Sequence, residues 1–513
     1  MSLVAGPVDI TDLPGTVSDP YNTTGVEGID KIIDNTPYTK YFRATPTPWV
    51  RFIANNAAVV TGYSVTSAND SADRDPKDWV FEASTNGTTW TTLNTQTNQT
   101  FVERFAKKTY SFANAGSYRY YQLRTTANNG SPDFQIAELQ IFGTTTGTVP
   151  APAAPSGIVA TAVSDEQVQI TWSDNTRYET GYGLERRVGS GSWSLVKNLP
   201  IGTTRYYDLG RNGSTSYTYR VRALGTTNSS YATSSAVTTL SSTPPATYTE
   251  AYHGSGGPNE LLTLVSATSD VVIYRDPQVP TNLSWVVTYI QEIYAHVRAS
   301  YPAMQGQRLW VTLHNDPGPG GSAQFFAHPH TNYHSTIDMY DSDWSTSTAT
   351  KRDVIAHEIG HLIEFAGYGI VNSPAYQIWS DSKWCEIFQY WAYLGAGLTA
   401  DATRWYNDKS TDPVDGFPAA TTDWFTQWFY PITDTYSGAT TLNNYFQLLS
   451  QHYHQFNGLY ARDMNMGEFV HFWSGATGAN QLSLAQTAFG WHSTWQAQLD
   501  QAKIDFPGVT YTP

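Results

Sequence analysis

The stretch Asp353-Val354-Ile355-Ala356-His357-Glu358-Ile359-Gly360-His361-Leu362-Ile363-Glu364 decides how the last half of this chain is read. Val354, Ile355, Ile359, Leu362 and Ile363 recur at near-helical spacing, Asp353 suits an N-cap or first-turn acid, and Gly367 supplies a stop. His357 and His361 are therefore expected four apart on one helix. Residues at that spacing stand one turn above each other on the same face, so two imidazoles can converge on one cation, and zinc accepts such nitrogens readily. Glu358 then projects beside the metal, where it can take a proton from zinc-bound water. The competing reading is an amphipathic core helix whose histidines satisfy local hydrogen bonds.

A catalytic zinc usually has three protein ligands and an open water position, so a third donor is expected downstream. Glu386 follows His361 after 24 intervening residues, within Ser380-Asp381-Ser382-Lys383-Trp384-Cys385-Glu386, where Ser380 or Asp381 could cap a second helix. Such a helix, running back beside the first, would bring Glu386 to the metal; Asp381 is the alternative ligand. Cys385, the only cysteine, lies about 100 degrees around that helix from Glu386 and has no base assigned to it, so it is read as buried.

His357-Glu358-Ile359-Gly360-His361 followed by a helix-borne Glu386 resembles the gluzincin clan of zinc peptidases. The metzincin pattern fails, because Glu364 and Gly367 stand where that family has glycine and histidine. The resemblance implies zinc held by His357, His361 and Glu386, with Glu358 as general base in amide hydrolysis. Several gluzincins orient the first histidine with an aspartate four residues past the glutamate ligand; here that position is Tyr390. Donors of the right chemistry for an oxyanion are His452, His454, His471, Tyr430 and Tyr436.

Around this motif, residues 284–299 read as a helix and 308–314 as an apolar strand, so 249–513 is expected to be an α+β unit. Residues 334–340 could form the edge strand that holds an extended peptide by main-chain pairing. Upstream, the Thr-, Pro- and Ala-rich stretch 144–157 and the Pro-containing stretch 241–248 mark two boundaries. The chain is therefore expected to be multidomain: two all-β sandwiches at 1–145 and 155–240, then the α+β, zincin-like unit.

The first sandwich is announced by short alternating strands, at 79–83, 118–125 and 137–142, and by turn pairs such as Asn86-Gly87. Lys31-Ile32-Ile33-Asp34-Asn35, Thr39-Lys40-Tyr41, Arg74-Asp75-Pro76-Lys77-Asp78-Trp79 and Ala137-Glu138-Leu139-Gln140-Ile141-Phe142-Gly143 resemble the discoidin-like, coagulation-factor C-type family. Many bacterial members bind sugars and hold a structural calcium. That resemblance implies Asp34, Thr39 and Glu138 as calcium ligands, and hard oxygen donors suit that ion. Phe105 is an aromatic ring that could stack on a sugar. Residues 155–240 resemble a fibronectin type III domain, with Gln167-Val168-Gln169-Ile170-Thr171-Trp172 leading to a buried tryptophan and Tyr217-Thr218-Tyr219-Arg220-Val221-Arg222 matching the tyrosine-corner strand. It is read as a spacer.

Composition narrows the setting. Among 513 residues, 44 Asp and Glu outnumber 29 Lys and Arg, which disfavours nucleic acid or an anionic membrane as partner. One cysteine excludes an intramolecular disulfide framework, and no apolar run approaches the roughly 20 residues that span a bilayer. Abundant Thr, Ser, Asn and Gly with 17 Trp and 34 Tyr suit folded extracellular modules. The expectation is a secreted or cell-surface bacterial protein whose Met1-Ser2-Leu3 start is an artificial leader. Its expected activity is that of a zinc peptidase acting on glycoproteins; the alternative is a non-catalytic carbohydrate-binding adhesin with a zinc-containing domain.

Overall fold

A computed structural model describes residues 7–512 apart from 255, 257, 258, 305, 382 and 413. The start, Met1-Ser2-Leu3, lies outside the described residues. The chain divides into two compact units, one of Met1–Val159, Thr171–Thr204 and Thr218–Ser235, the other of Ala160–Ile170, Arg205–Tyr217 and Ala236–Pro513.

In the first unit the 18-residue strand Trp49–Thr66 is the organising element. It pairs antiparallel with Gly15–Ser18, Lys107–Ser111, Tyr118–Asn128 and Glu138–Thr145, and its register with Tyr118–Asn128 shifts between Ile53 and Ala58. A break of this kind lets one strand bend and serve two neighbours. Trp79, Phe81 and Ala83 alternate inward on Pro76–Ser84, as their period of two requires; Phe81 stacks with Tyr63 and Tyr121, and Trp79 meets Tyr110 edge-on. Asn86-Gly87 does turn the chain, with Asn86 Oδ1 accepting from Thr88 N and Thr89 N at 2.9 Å each and Gly87 at φ +74°.

The middle module expected at 155–240 is all-β, and its residues fall in both compact units. Its strands form two sheets: Ser156–Ala162, Gln167–Ser173 and Arg205–Leu209 in one, and Ser194–Leu199, Gly181–Val188 and Ser216–Leu224 with two short partners in the other. Its residues are divided between the two units because each part is tied locally. Arg177 donates to Leu13 O at 2.9 Å in the first unit, while Glu166 Oε1 accepts from Arg308 N at 2.7 Å in the second. Tyr217 does form a corner, its hydroxyl accepting from Asn212 N at 2.9 Å.

The second unit carries a six-stranded mixed sheet in the order Thr247–Thr249, Leu261–Ala267, Val271–Arg275, Leu309–His314, Ser335–Tyr340, Gly320–Gln324. Its centre is parallel and its last pair antiparallel. Residues 334–340 are thus not the edge expected of them: Ser335–Tyr340 is paired on both sides, and Gly320–Gln324 is the edge. Helices α1 (Ser284–Ser300), α2 (Ala349–Ala366), α3 (Tyr376–Trp379), α4 (Lys383–Gly395) and α5 (Thr399–Lys409) follow in order. Trp379, Trp384, Trp424, Trp428 and Trp473 are fully buried among them, which is where much of the aromatic composition goes. Helix α2 begins earlier than expected. Thr348 caps it by accepting from Lys351 N, while Asp353 sits inside and pairs with Arg404.

Candidate metal centre

Helix α2 places His357 and His361 as its period demands, with their Nε2 atoms 3.1 Å apart. Two nitrogens held tetrahedrally at about 2.0–2.1 Å from one zinc would lie roughly 3.3 Å apart, so the pair fits that ion. Burial and the neighbouring His361 push His357 down to about 4, so its ring is a neutral donor at neutral pH. Burial opposes charge on His361 too, but Cys385, Asp381 and Glu364 outweigh it and raise its pKa. Glu358 is buried, and desolvation lifts its carboxyl to about 7 against the pull of His361, with Asp381 and Asp338 adding to the rise.

The second helix does pack against the first, and Glu386, expected on it as the third ligand, is ion-paired with two lysines. The face of α4 turned to α2 carries Cys385 and Phe388, which lie over Gly360; a Cβ there would meet them at 3.0 and 2.8 Å. One helix step around, Glu386 falls between Lys383 Nζ and Lys409 Nζ, 3.3 Å from each. Two ammonium groups supply the counter-charge that the expectation assigned to zinc. The carboxylate on the Nε2 side is instead that of Asp381, whose Oδ1 lies 3.4 Å from His361 Nε2 and whose side chain is 66% exposed. Cys385 Sγ also lies close to the imidazoles, but it faces His361 Nδ1 at 3.6 Å, on the opposite ring edge. It is buried as expected, and burial pushes its thiol up to about 12.

Two supporting residues escaped the sequence reading. Glu364 Oε2 lies 3.0 Å from His361 Nδ1, and its other oxygen accepts from Trp379 Nε1 at 2.7 Å. A carboxylate on the far nitrogen of a metal-binding histidine fixes its tautomer and ring angle. The three-residue spacing His361-x-x-Glu364 on one helix was the available signal. Gln389, buried on α4, donates through Nε2 to Asp353 O at 3.0 Å and adds a small upward pull on the pKa of His357. Tyr390 itself packs among Trp391, Tyr406, Phe425 and Tyr430.

Of the oxyanion candidates, His471 is bonded to Tyr511 and to Phe506 O, His454 packs on Phe506, and Tyr430 stacks with Phe425. Tyr376 on α3 is closer to the chemistry, in electrostatic range of Asp381, Glu364 and His361. The edge strand reaches the site through Gly321, where a Cβ would stand 2.7 Å from Glu358 Cγ.

In the first unit the structure brings Asp34, Thr39 and Glu138 together. Thr39 Oγ1 donates to Asp34 Oδ2 at 2.7 Å and Thr36 N donates to Glu138 Oε1 at 3.1 Å, and the buried Glu138 Oε2 meets no hydrogen-bond donor among the described residues. Burial raises both carboxyls, Glu138 well above its ordinary range, and Asp34 adds to the rise at Glu138. The buried carboxylate of Glu138 beside the half-buried one of Asp34 fits a hard cation. Nearby, Phe105 is half-buried and meets Tyr38 edge-on, ring centroids 5.4 Å apart.

No family model matches this chain. Among curated proteins it is similar to a peptide-N(4)-(N-acetyl-beta-glucosaminyl)asparagine amidase of Arabidopsis thaliana, 33% identical over 101 residues, or 18% of this chain and 14% of that protein. It is also similar to exoglucanase B of Cellulomonas fimi, 26% identical over 207 residues, or 39% of this chain and 16% of that protein. The chain thus spans about a sixth of these relatives or less. Solved structures similar to part of it include an F5/8 type C domain from Bacteroides fragilis, with 16% identity and a TM-score of 0.23, covering 27% of this chain and 95% of that one. A family 32 carbohydrate-binding module of C. perfringens in complex with galactose has 17% identity and a TM-score of 0.23, covering 27% and 98%. Among the described residues no helix is long and apolar enough to cross a membrane.

Proposed function

We propose that this is an extracellular glycan-directed protein whose second unit is a zinc-dependent amide hydrolase acting on glycoproteins. The observation that carries the hydrolase reading is the 3.1 Å approach of two imidazole Nε2 atoms with Glu358 on the same helix. His357, His361 and Asp381 would hold the zinc. When bound, zinc supplies Lewis acidity toward a scissile carbonyl and toward water. Glu358 accepts a proton at its carboxylate and returns it to the leaving amine, a task suited by a carboxyl lifted to about 7. The edge strand Gly320–Gln324 offers a main-chain edge along which an extended substrate would lie.

The glycan-directed part rests on the discoidin-like wording of the first segment and on the carbohydrate chemistry named in the similar proteins. Calcium between Asp34, Thr39 and Glu138 would brace the loops beside Phe105 and Tyr38, the aromatic surface a sugar ring would meet. The same observations favour a second reading, a carbohydrate-binding adhesin without turnover. Incubating the full chain with a glycoprotein mixture, with and without a chelator, separates the two. Chelator-sensitive fragments that vanish in Glu358→Gln support hydrolysis. Glycan binding with no fragments leaves only the adhesin.

A further inference from the structure

The second unit holds another knot of imidazoles and carboxylates, made of residues that the hydrolase reading leaves unused. His314 ends one central strand, Asp338 lies on the next in register with Thr312, and Glu250 and His253 follow the first strand of the sheet. Glu250, His253 and His314 are all buried, and their ligand atoms lie within 4.8 Å of one another. The two imidazole rings stack at 4.1 Å.

Three observations point to a cation. The first is the close approach of ligand atoms sealed from solvent: Glu250 Oε2 and both ring nitrogens of His314 are buried, and Asp338 Oδ1 and Glu250 Oε2 lie 2.8 and 3.3 Å from His314 Nε2.

The second is charge. Glu250, Glu260, Asp276 and Asp338 gather around His253 and His314, so that carboxylates outnumber imidazoles. Backbone amides already occupy most of the others: Asp276 takes Gln278 N, Val279 N and Asn315 N, and Asp338 takes Gly254 N. Glu250 Oε1 takes Glu260 N, which leaves Oε2 turned to His314.

The third is the support of His253. Its Nε2 lies 2.9 Å from Asp316 Oδ2 while its Nδ1 faces Glu250 at 3.5 Å. A carboxylate behind an imidazole is how metal-binding histidines are commonly oriented.

We infer that Glu250, His253 and His314 form a second metal site, one that takes a divalent transition-metal cation such as zinc. Two imidazole nitrogens and one carboxylate oxygen suit that class better than calcium or magnesium, which prefer all-oxygen shells. The ion would fasten the segment after the strand Thr247–Thr249 to the centre of the sheet. This site does not rest on the hydrolase reading.

The test is zinc content of the full chain after dialysis against excess zinc and then metal-free buffer, read by mass spectrometry. Two zinc ions per chain are expected, with one kept when His357→Ala and His361→Ala remove the first site. Adding Glu250→Gln, which keeps the acceptor for Glu260 N, should lose the remaining one; cobalt in place of zinc should lose its visible absorption bands in step. Should His357→Ala/His361→Ala fold, by circular dichroism, yet hold no zinc and show no cobalt bands, the second site does not exist. A Glu250→Gln chain that retains two zinc ions would equally overturn it.

Discussion

Glu364 Oε2 stands 3.0 Å from Nδ1 of His361, and this contact turns the ring's other nitrogen toward His357. Outer carboxylates of this kind are worth about 10- to 100-fold in metal affinity. Glu364→Gln keeps the volume and the acceptor for Trp379 but removes the charge. Zinc affinity measured by chelator competition should fall by about one order of magnitude at unchanged fold. Unchanged affinity would mean that Glu364 only fills space.

Gly321 lets the edge strand pass beside Glu358, since a Cβ would stand 2.7 Å from Glu358 Cγ and 3.0 Å from Met339 Sδ. Gly321→Ala should push the strand or the general base aside, and displacements of about 1 Å cost on the order of 100-fold in rate. The expected outcome is a loss of kcat/KM of about 10- to 100-fold with zinc content intact. Wild-type turnover in that variant would show that the edge does not shape the site.

Asp381 and Glu386 make opposite predictions. Asp381→Ala should lower zinc stoichiometry or affinity at the first site, because its carboxylate is the one on the Nε2 side of His361. Glu386→Ala should leave zinc in place, with Lys383 and Lys409 still held by Asp415 and Asp412. Retention of zinc in the first variant and its loss in the second would restore Glu386 as ligand.

Glu138 gives a pH test of the calcium cradle. Burial first, and Asp34 beside it, raise its folded pKa well above the ordinary value. A raised folded pKa means that the group's contribution is fully present below the unfolded value and is lost as pH rises through the folded one. Without calcium, the Tm of the wild-type protein should therefore drop relative to Glu138→Gln as pH climbs out of the ordinary carboxylate range. Calcium should abolish that drop by giving the carboxylate a counter-charge. A Tm difference that is flat with pH and insensitive to calcium would reject the cradle.

Much of the local structure was legible because it depends on period. The inward alternation of Trp79, Phe81 and Ala83 and the four-residue step from His357 to His361 follow from strand and helix geometry. The edge strand was misplaced because Gly320-Gly321-Ser322-Ala323-Gln324 has small residues and no alternation, so residues 334–340, richer in β-formers, drew the assignment. Which face of α4 meets α2 is set in three dimensions, where Gly360 accepts Cys385 and Phe388 while Glu386 stands between Lys383 and Lys409.

By itself the sequence determined the pair of imidazoles and the glutamate beside them, because three residues on one helix need only local hydrogen bonds to take their places. Only the tertiary structure decided which carboxylate faces that pair, and that Glu250, His253 and His314 meet at all. Those contacts join residues distant in the chain, and they exist only where burial holds strands and helices in one register.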